Sequence, residues 1–462
     1  MRYVSTRGSA PDVGFRDVLL AGLANDGGLY VPEKWPALPD LTPARTYAQA
    51  AALVMSPFVG DEIAADVFEQ MCVDAYATFR HDAVVPLVQI GNNEWLLEQF
   101  HGPTLAFKDV ALQLVGRLFD HVLDERGRRV TIVGATSGDT GSAAIDAVRN
   151  CRNVDIVILY PYGRTTDVQR RQMTTVDSPN VHTVAIDATF DDCQDLVKAM
   201  FNDAPFRDRM GLSAVNSINW ARLMAQIVYY VTACRSLGAT AGAGVTFSVP
   251  TGNFGNVLSG WIAREIGAPI NGFIVASNSN DILTRFINDN DMSARAVVPT
   301  LSPSMDIQVS SNFERLLFEM NGRDGGMTAN QLQRFRHTGS LGVEPDQVAR
   351  WIAPAFRAAR FDDVQTTNEI RRIHQLTGLL IDPHTATGTA AVHALRATDD
   401  GRPVVTLATA HPAKFADAVR CATGVTPALP AHVADIFDRV ERVNLVDNDL
   451  AAVEAFVERA VR

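Results

Sequence analysis

RRVTIVGATSGDTGSAAIDAVRN, residues 128–150, decides the fold of this chain. Its apolar first part is typical of a buried strand, its glycine-bearing middle of a turn, and its alanine-rich end of a helix. The same order returns from VDIVILY (154–160), VHTVAI (181–186) and GVTFSVP (244–250), and two more such units follow between 377 and 419. Strands that alternate with helices predict a parallel sheet with helices packed on both faces, which is an α/β fold.

The size and charge of the chain narrow the class of protein. At 462 residues it is too long for one small core, so we expect two or three domains. An apolar content of 47% and a charged content of 20% describe an ordinary globular protein. The net charge is −11 and no basic run occurs, which argues against nucleic acid and anionic membranes as partners. An anionic substrate would therefore need a locally positive site.

The cysteines and the apolar runs predict a soluble, cytoplasmic protein. The five cysteines are odd in number and widely spaced, without a CxxC pair, which favours reduced thiols over disulfides or a cysteine zinc site. Neither a signal peptide nor an apolar run of membrane-spanning length is expected. His101, His384 and His411 show no paired ligand spacing, so we expect no metal.

Changes of pattern along the chain suggest its domain organisation. Residues 1–82 form a mixed N-terminal domain, and residues 83–425 form a central region that contains the repeated units. Within that region we expect a smaller, mobile α/β subdomain at about 110–220 and an inserted excursion at about 285–345. The pattern of residues 426–462 predicts a helical tail.

One lysine stands where helix electrostatics disfavours a cation. In HGPTLAFKDVALQL, residues 101–114, apolar residues at spacings of three and four predict a helix that starts near Lys108. This end of a helix is positive and disfavours a cation by a few tenths to about 1 kcal/mol. Two interpretations are open: a lysine that extends its ammonium group to water, or a lysine whose lowered pKa makes its amine a nucleophile.

Two loops after predicted strands have the composition of anion sites. In PTGNFGN, residues 250–256, Gly252 and Gly255 allow a close approach of the backbone, and Asn253 and Asn256 add short donors. The loop matches neither the Walker pattern nor GxGxxG, and an ordinary strand-to-helix turn is the alternative. A site of this kind would hold a phosphate mainly through backbone amides.

The second loop is GATSGDTGSAA, residues 134–144. Hydroxyls and amides crowd a helix start at Thr136, Ser137, Gly138, Thr140 and Gly141, which suits a carboxylate or a second phosphate. Asp139 does not fit, since an exposed carboxylate would repel an anion, and an ordinary turn remains open. Two such loops and a misplaced lysine suggest pyridoxal phosphate, with the lysine for its aldehyde, one loop for its phosphate and the other for the acid group of the substrate.

The segment HGPTLAFKD resembles the cofactor-lysine motif of the threonine synthases, which belong to the fold type II group of pyridoxal phosphate enzymes. Further segments resemble that family in the family's order, from about Tyr3 to about Gly424: YVSTRG, GLANDGGLYVP, ATSGDTGSAA, NSINWAR, PTGNFGN, SPSMDIQVSSNFERLLFE, DPHTATG and ATAHPAKF. The N-terminal segments point to the longer branch found in bacteria and fungi. The resemblance implies a large parallel-sheet domain, a smaller α/β subdomain and an added N-terminal domain, with cofactor binding in 83–425.

The resemblance also implies roles for residues. Lys108 would hold pyridoxal 5'-phosphate as a Schiff base, and Thr409 would face the pyridine nitrogen without enforcing its protonation. The cofactor phosphate would lie on Gly252, Asn253, Phe254, Gly255 and Asn256. The substrate would meet Ser137, Gly138, Asp139, Thr140, Asn216, Ser217, Asn219, Arg222 and Lys414. Asp139 departs from the asparagine common in the wider fold group, and Arg222 is the candidate for a bidentate grip on an anion, with a structural ion pair as the alternative.

The implied reaction converts O-phospho-L-homoserine and water into L-threonine and phosphate, as a carbon–oxygen lyase acting on phosphates. Lys108 would act as general base and then as acid, and the subdomain at 110–220 would close to exclude water. A dehydratase or a phospholyase of the same fold group is the nearest rival, and the N-terminal domain argues against it. A noncatalytic binding protein would not need the lysine. No segment indicates an obligate protein partner.

Overall fold

The computed structural model describes residues 1–214, 216–396 and 401–461. The strands, in chain order, are β1 (Tyr3–Ser5), β2 (Tyr30–Pro32), β3 (Leu87–Gly91), β4 (Glu94–Glu98), β5 (Val130–Ala135), β6 (Val154–Pro161), β7 (Val181–Ile186), β8 (Leu212–Ser213), β9 (Val245–Pro250), β10 (Ile270–Ser277), β11 (Met292–Ser293), β12 (Ser340–Leu341), β13 (Phe356–Arg360), β14 (Val404–Ala408) and β15 (Asn444–Val446).

The helices, in chain order, are α1 (Phe15–Ala21), α2 (Tyr47–Val59), α3 (Ala65–Tyr76), α4 (Lys108–Glu125), α5 (Asp139–Val148), α6 (Asp167–Thr174), α7 (Phe190–Asn202), α8 (Ala204–Met210), α9 (Trp220–Ser236), α10 (Gly255–Glu265), α11 (Ile282–Asp289), α12 (Phe313–Met320), α13 (Gly325–Thr338), α14 (Pro345–Gln347), α15 (Asp363–Thr377), α16 (Pro383–Leu395), α17 (Ala416–Thr423) and α18 (Leu450–Ala460). Strands and helices alternate through most of the chain, which confirms the predicted α/β fold.

The larger sheet has the strand order β13-β10-β9-β14-β4-β3. Its strands run parallel except for β3, which pairs antiparallel with β4 at one edge. Strand β9 is buried along its whole length, as expected of a strand covered by helices on both faces. Because β14 lies between β9 and β4, the loops after these three strands open onto one crevice at their carboxyl ends, where parallel sheets bind ligands.

The smaller sheet is parallel throughout, with the order β15-β7-β6-β5-β8. Four of its strands lie within the predicted subdomain at about 110–220. The fifth, β15, comes from the predicted helical tail, residues 426–462, which contains this strand as well as helix α18. Val453 and Val457 of α18 are buried in the core of the smaller sheet. The tail therefore completes this sheet.

The N-terminal residues pack into the main core. The ring of Trp220 lies 5.7 Å from the rings of both Tyr3 and Phe58. In the STRG segment, the Thr6 hydroxyl and the Arg7 guanidinium donate to the Glu314 carboxylate at 2.6 and 2.9 Å. Glu314 lies on α12, inside the excursion predicted at about 285–345. The N-terminal segment and the excursion thus support each other.

Candidate active site

Four of the predicted site residues, Lys108, Asp139, Arg222 and Lys414, form one electrostatic group. Lys108 begins α4 and Asp139 begins α5, so each stands at a helix start. Arg222 lies in the first turn of α9, and Gly255 begins α10. Lys414 lies in a single helical turn, Pro412–Phe415, that follows β14. Residues from both sheets therefore contribute to one buried group of charges.

Lys108 is a buried lysine, with 7% of its surface exposed. Its Nζ lies 3.3 Å from Oδ2 of Asp139 and 5.0 Å from the centre of the Phe107 ring. Burial lowers the pKa of Lys108, and the positive charges of Lys414 and Arg222 lower it further, while Asp139 opposes the shift. Of the two interpretations, the structure favours the lysine with a lowered pKa, since this ammonium does not extend to water.

The structure explains why an aspartate is tolerated in the second loop. The Asp139 carboxylate accepts from Lys414 at 2.9 Å and from the Gln169 amide at 2.9 Å, in addition to its contact with Lys108. Burial alone would raise the pKa of Asp139, but the two lysines hold it well below its usual range. Its charge is therefore neutralised inside the protein, and it does not stand exposed against an incoming anion.

The turn of the second loop is held by Thr136, one of the hydroxyl residues that the sequence indicated there. The hydroxyl of Thr136 accepts from the backbone amides of Gly138 and Gly141, each at 2.9 Å. Gly138 has a φ of +135°, and a Cβ there would lie 2.5 Å from the Gln169 side chain. Ser137 and Thr140 remain partly exposed at the start of α5. The loop therefore has a fixed backbone and two accessible hydroxyls, as an oxyanion site requires.

The glycine loop after β9 is fitted closely to its surroundings. A Cβ on Gly252 would lie 2.6 Å from the carbonyl oxygen of Ser304, so only glycine fits there. Phe254 adopts a φ of +62°, in the left-handed region, and its ring packs 5.6 Å from the ring of Phe313 on α12. The Asn253 carbonyl accepts from the backbone of Asn312 at 3.1 Å. Helix α12 of the excursion thus fixes the shape of this loop.

Asn256 carries an amide that has no partner among the described residues. Its carboxamide oxygen accepts from the hydroxyls of Tyr229 and Tyr230, which fixes the orientation of the group. Its Nδ2 is buried and makes no hydrogen bond. The first amides of α10, which starts at Gly255, also lack acceptors within their helix. These free donors fit a phosphate group at the loop.

Arg222 is a buried cation without a counter-charge in the described ranges. It is 3% exposed, and neither Nε nor Nη1 has a hydrogen-bond partner there. Burial lowers the pKa of Arg222 to about 10. Buried charges are normally paired, so an unpaired guanidinium next to Lys108 indicates a second place for an anion. The alternative of a structural ion pair finds no partner within these parts of the chain.

Two other predicted residues, Asn219 and Thr409, make hydrogen bonds that stabilise the backbone around the site. Asn219 caps α9 by accepting from Ala221 at 3.0 Å, and its amide donates to the Leu19 carbonyl at 2.8 Å. The Thr409 carbonyl accepts from the Phe107 amide at 2.8 Å, which ties the lysine loop to the end of β14. Asn216 is exposed and Ser217 is partly exposed, just before α9.

Sequence reasoning missed three contributors, which are Gln169, Tyr229 and Tyr230. All three stand on helices whose apolar spacing gives no sign of a site. Among the described residues, no cluster of histidine, cysteine, aspartate or glutamate has the arrangement of a metal site. In the same ranges, no helix has the length and apolar character needed to cross a membrane.

The chain matches three protein-family models. Residues 2–76 match the threonine synthase N terminus, residues 83–344 match pyridoxal-phosphate dependent enzymes, and residues 385–457 match the C-terminal part of threonine synthase. The threonine synthase of Pseudomonas aeruginosa is 53% identical, over 99% of this chain and 98% of its own length. That of Corynebacterium glutamicum is 40% identical, over 100% of this chain and 99% of its own length.

Solved structures agree with this relationship. The pyridoxal-phosphate-bound threonine synthase of Brucella melitensis is 50% identical, with a TM-score of 0.96 over 100% of both chains. The yeast threonine synthase is 38% identical, with a TM-score of 0.93 over 99% of this chain and 98% of that one. The segments that resemble the family therefore reflect kinship along the whole chain, and this protein belongs to the threonine synthases, a family of pyridoxal-phosphate-dependent enzymes.

Proposed function

We propose that this chain converts O-phospho-L-homoserine and water into L-threonine and phosphate, the last step of threonine biosynthesis. The observation that carries the proposal is the buried guanidinium of Arg222, whose Nε and Nη1 have no partner among the described residues and whose charge acts on Lys108. It supplies a place for an anion that is distinct from the glycine loop of residues 252–256. A reaction in which the cofactor keeps one phosphate and the substrate loses another needs two such places.

Pyridoxal phosphate fits the residues that are present. The free amide of Asn256, the first amides of α10 and the cramped backbone at Gly252 support the glycine loop, residues 252–256, as the holder of its phosphate. Lys108 would bind its aldehyde, and the hydroxyl of Thr409 would face its ring nitrogen. When bound, the cofactor supplies an electron sink for the bonds at the amino-bearing carbon of the substrate.

Lys108 would move the protons of the reaction. Its amine would take a proton from Cα and pass it to the phosphate of the substrate. The free amine would then take a second proton from Cβ, which allows the protonated phosphate to leave from Cγ. It would return a proton to Cγ before water adds at Cβ. Because Lys108 is buried, solvent does not compete for these protons.

The substrate would be held at its two acidic ends. The guanidinium of Arg222 would bind the leaving phosphate, because its Nε and Nη1 have no other partner among the described residues. Ser137, Gly138 and Thr140 at the start of α5 would receive the carboxylate. Asn216 and Ser217 would line the same entrance, ahead of α9.

We also propose the domain division and the location. The proposed parts are an N-terminal domain of residues 1–82, a cofactor-binding region of residues 83–425 and a tail of residues 426–462, whose strand β15 joins the smaller sheet. Asp139 on the smaller sheet contacts lysines outside it, so closure of the subdomain would assemble the charged group. All five cysteines are free thiols, which supports a reducing compartment such as the cytoplasm.

The test adds pyridoxal phosphate and O-phospho-L-homoserine to the purified protein and measures phosphate, threonine and 2-oxobutyrate together. Equal amounts of phosphate and threonine support the proposal. Phosphate with 2-oxobutyrate in place of threonine would identify a phospholyase instead, and no phosphate at all would exclude this substrate. Lys198→Ala, at an exposed lysine, serves as the matched control for Lys108→Ala.

A further inference from the structure

Two buried lysines share one carboxylate in this protein. The sequence contains 37 arginines but only four lysines. Lys34 and Lys198 are exposed, whereas Lys108 and Lys414 are buried and meet at Asp139. Lysine is the basic residue whose protonation burial changes most readily, because its charge is compact and strongly hydrated. Its use at both of these positions, in a chain that otherwise favours arginine, points to protonation as the property that matters.

The two lysines are bound unequally. Nζ of Lys414 lies 2.9 Å from Oδ1 of Asp139 and donates to the backbone carbonyl of Thr104 at 2.8 Å, and its side chain is fully buried. Nζ of Lys108 has one longer contact, 3.3 Å to Oδ2 of Asp139. Lys414 therefore has two close acceptors for its three N–H donors, whereas Lys108 has one weak acceptor.

The local charges cannot all be balanced if both lysines are protonated. Three ionisable groups face Lys108, namely Asp139 on α5, Lys414 in the turn after β14 and Arg222 on α9. With both lysines charged, three cations would stand around Asp139. The other carboxylate that senses Lys414 is Asp109 on α4, and burial raises its pKa to about 7, so it does not supply a full counter-charge at neutral pH. Holding this excess of positive charge away from water is costly. With one proton between the two lysines, Lys414 and Asp139 form a neutral pair. Arg222 then keeps its charge for an anion.

We propose that Lys414 is a positioning residue that keeps this proton in its ion pair with Asp139, so that Lys108 stands as the neutral amine. The inference rests on the proposed function only in taking Lys108 as the cofactor lysine. The nitrogen lone pair of a neutral amine forms the C=N bond to the cofactor aldehyde, while the C=O bond breaks and its oxygen leaves as water. Lys414 thus acts by keeping the proton away from Lys108. The resemblance to the family had implied a direct contact with the substrate instead.

The experiment measures the covalent attachment of the cofactor at Lys108 and does not depend on turnover. The cofactor-free protein is incubated with pyridoxal phosphate between about pH 6 and about pH 11, which spans the range from neutrality to the ordinary lysine pKa. The bond is then reduced with borohydride, and the labelled fraction of Lys108 is read by peptide mass spectrometry. The wild-type midpoint should lie below the ordinary lysine value of 10.5.

Lys414→Met should raise the midpoint by about 1–3 pH units, since it removes a like charge and leaves Asp139 to Lys108 alone. Lys414→Arg, which keeps the charge, should leave the midpoint low. Lys198→Met is the matched control, because Lys198 is exposed and pairs with Asp195 at the surface, 2.8 Å away. It should not move the midpoint.

The outcomes separate this inference from the proposed function. An unchanged midpoint in Lys414→Met overturns the inference, and so does a wild-type midpoint at or above the ordinary lysine value, which needs no variant. If the wild-type protein takes no label at Lys108 at any pH, the assignment of the cofactor lysine itself fails.

Discussion

Replacing Arg222 by methionine should make the protein more stable and less active. The side chain is wholly buried, and its pKa falls from 12.5 to about 10, which at about 1.4 kcal/mol per unit is a cost of about 3 kcal/mol for holding the charge in the fold. Because the folded pKa is the lower one, this cost is fully present at neutral pH and is relieved only as the pH rises through about 10. Methionine keeps the apolar stem and removes the charge.

The expected gain is about 1–3 kcal/mol in the free energy of unfolding of the cofactor-free protein, after some loss of packing. A rise of about 2–5 °C in the thermal midpoint would report it. If Arg222 binds the leaving phosphate, kcat/KM should fall by about 30-fold to several thousand-fold, since the loss of a buried charged contact costs about 2–5 kcal/mol. Both quantities are measured on the same preparation, by thermal unfolding and by phosphate release.

Arg315 provides the matched control. It is also fully buried, with a pKa lowered to about 9, but each of its three nitrogens donates to an oxygen, on Tyr30, Asn312 and Ile218. Arg315→Met would leave these acceptors unsatisfied and should lower the thermal midpoint. An Arg222→Met variant that loses stability in the same way and keeps its kcat/KM would refute the argument, because Arg222 would then be a structural cation.

Three further outcomes test the cofactor site. Lys108→Ala should abolish phosphate release while the protein still retains pyridoxal phosphate noncovalently in equilibrium dialysis; full activity would remove Lys108 from the mechanism. Gly252→Ala places a Cβ 2.6 Å from the Ser304 carbonyl and should speed the loss of the cofactor. The control, Gly242→Ala, places its Cβ in open space and should have no effect. Equal retention of the cofactor in the two variants would contradict a close fit at Gly252. Asn253→Asp sets a carboxylate beside the cofactor phosphate and should lower affinity by about tenfold or more; unchanged retention in dialysis would exclude this residue from the cradle.

The parts of the site that could be predicted from the sequence are those determined by interactions within a short segment of the chain. Lys108 is recognisable because a cation at a helix start conflicts with local electrostatics, and the helix does begin at that residue. Gly252 and Gly255 are recognisable because a strand, a glycine-bearing turn and a helix follow each other within a few residues. In both cases the physical reason lies within one or two turns of the chain.

The rest depends on contacts between distant segments. Asp139 is puzzling in the sequence because its neutralising partner, Lys414, reaches it from the other sheet. The free amide of Asn256 follows from two tyrosine hydroxyls on α9, whose positions the local pattern does not specify. That Arg222 has no partner for Nε and Nη1 among the described residues depends on the positions of all the segments packed around it. The local sequence does not specify those positions.

The hydrogen bond between Thr6 and Glu314 joins residues 308 positions apart in the chain. Glu314 lies on the helix that also carries Phe313, the ring behind the glycine loop. The support behind the glycine loop is consequently completed by residues about 300 positions earlier in the chain, which find their acceptor only after Glu314 has been synthesised. The N-terminal segment therefore supports the cofactor site. A deletion or a fused tag that displaces residues 5–8 should weaken the binding of the cofactor.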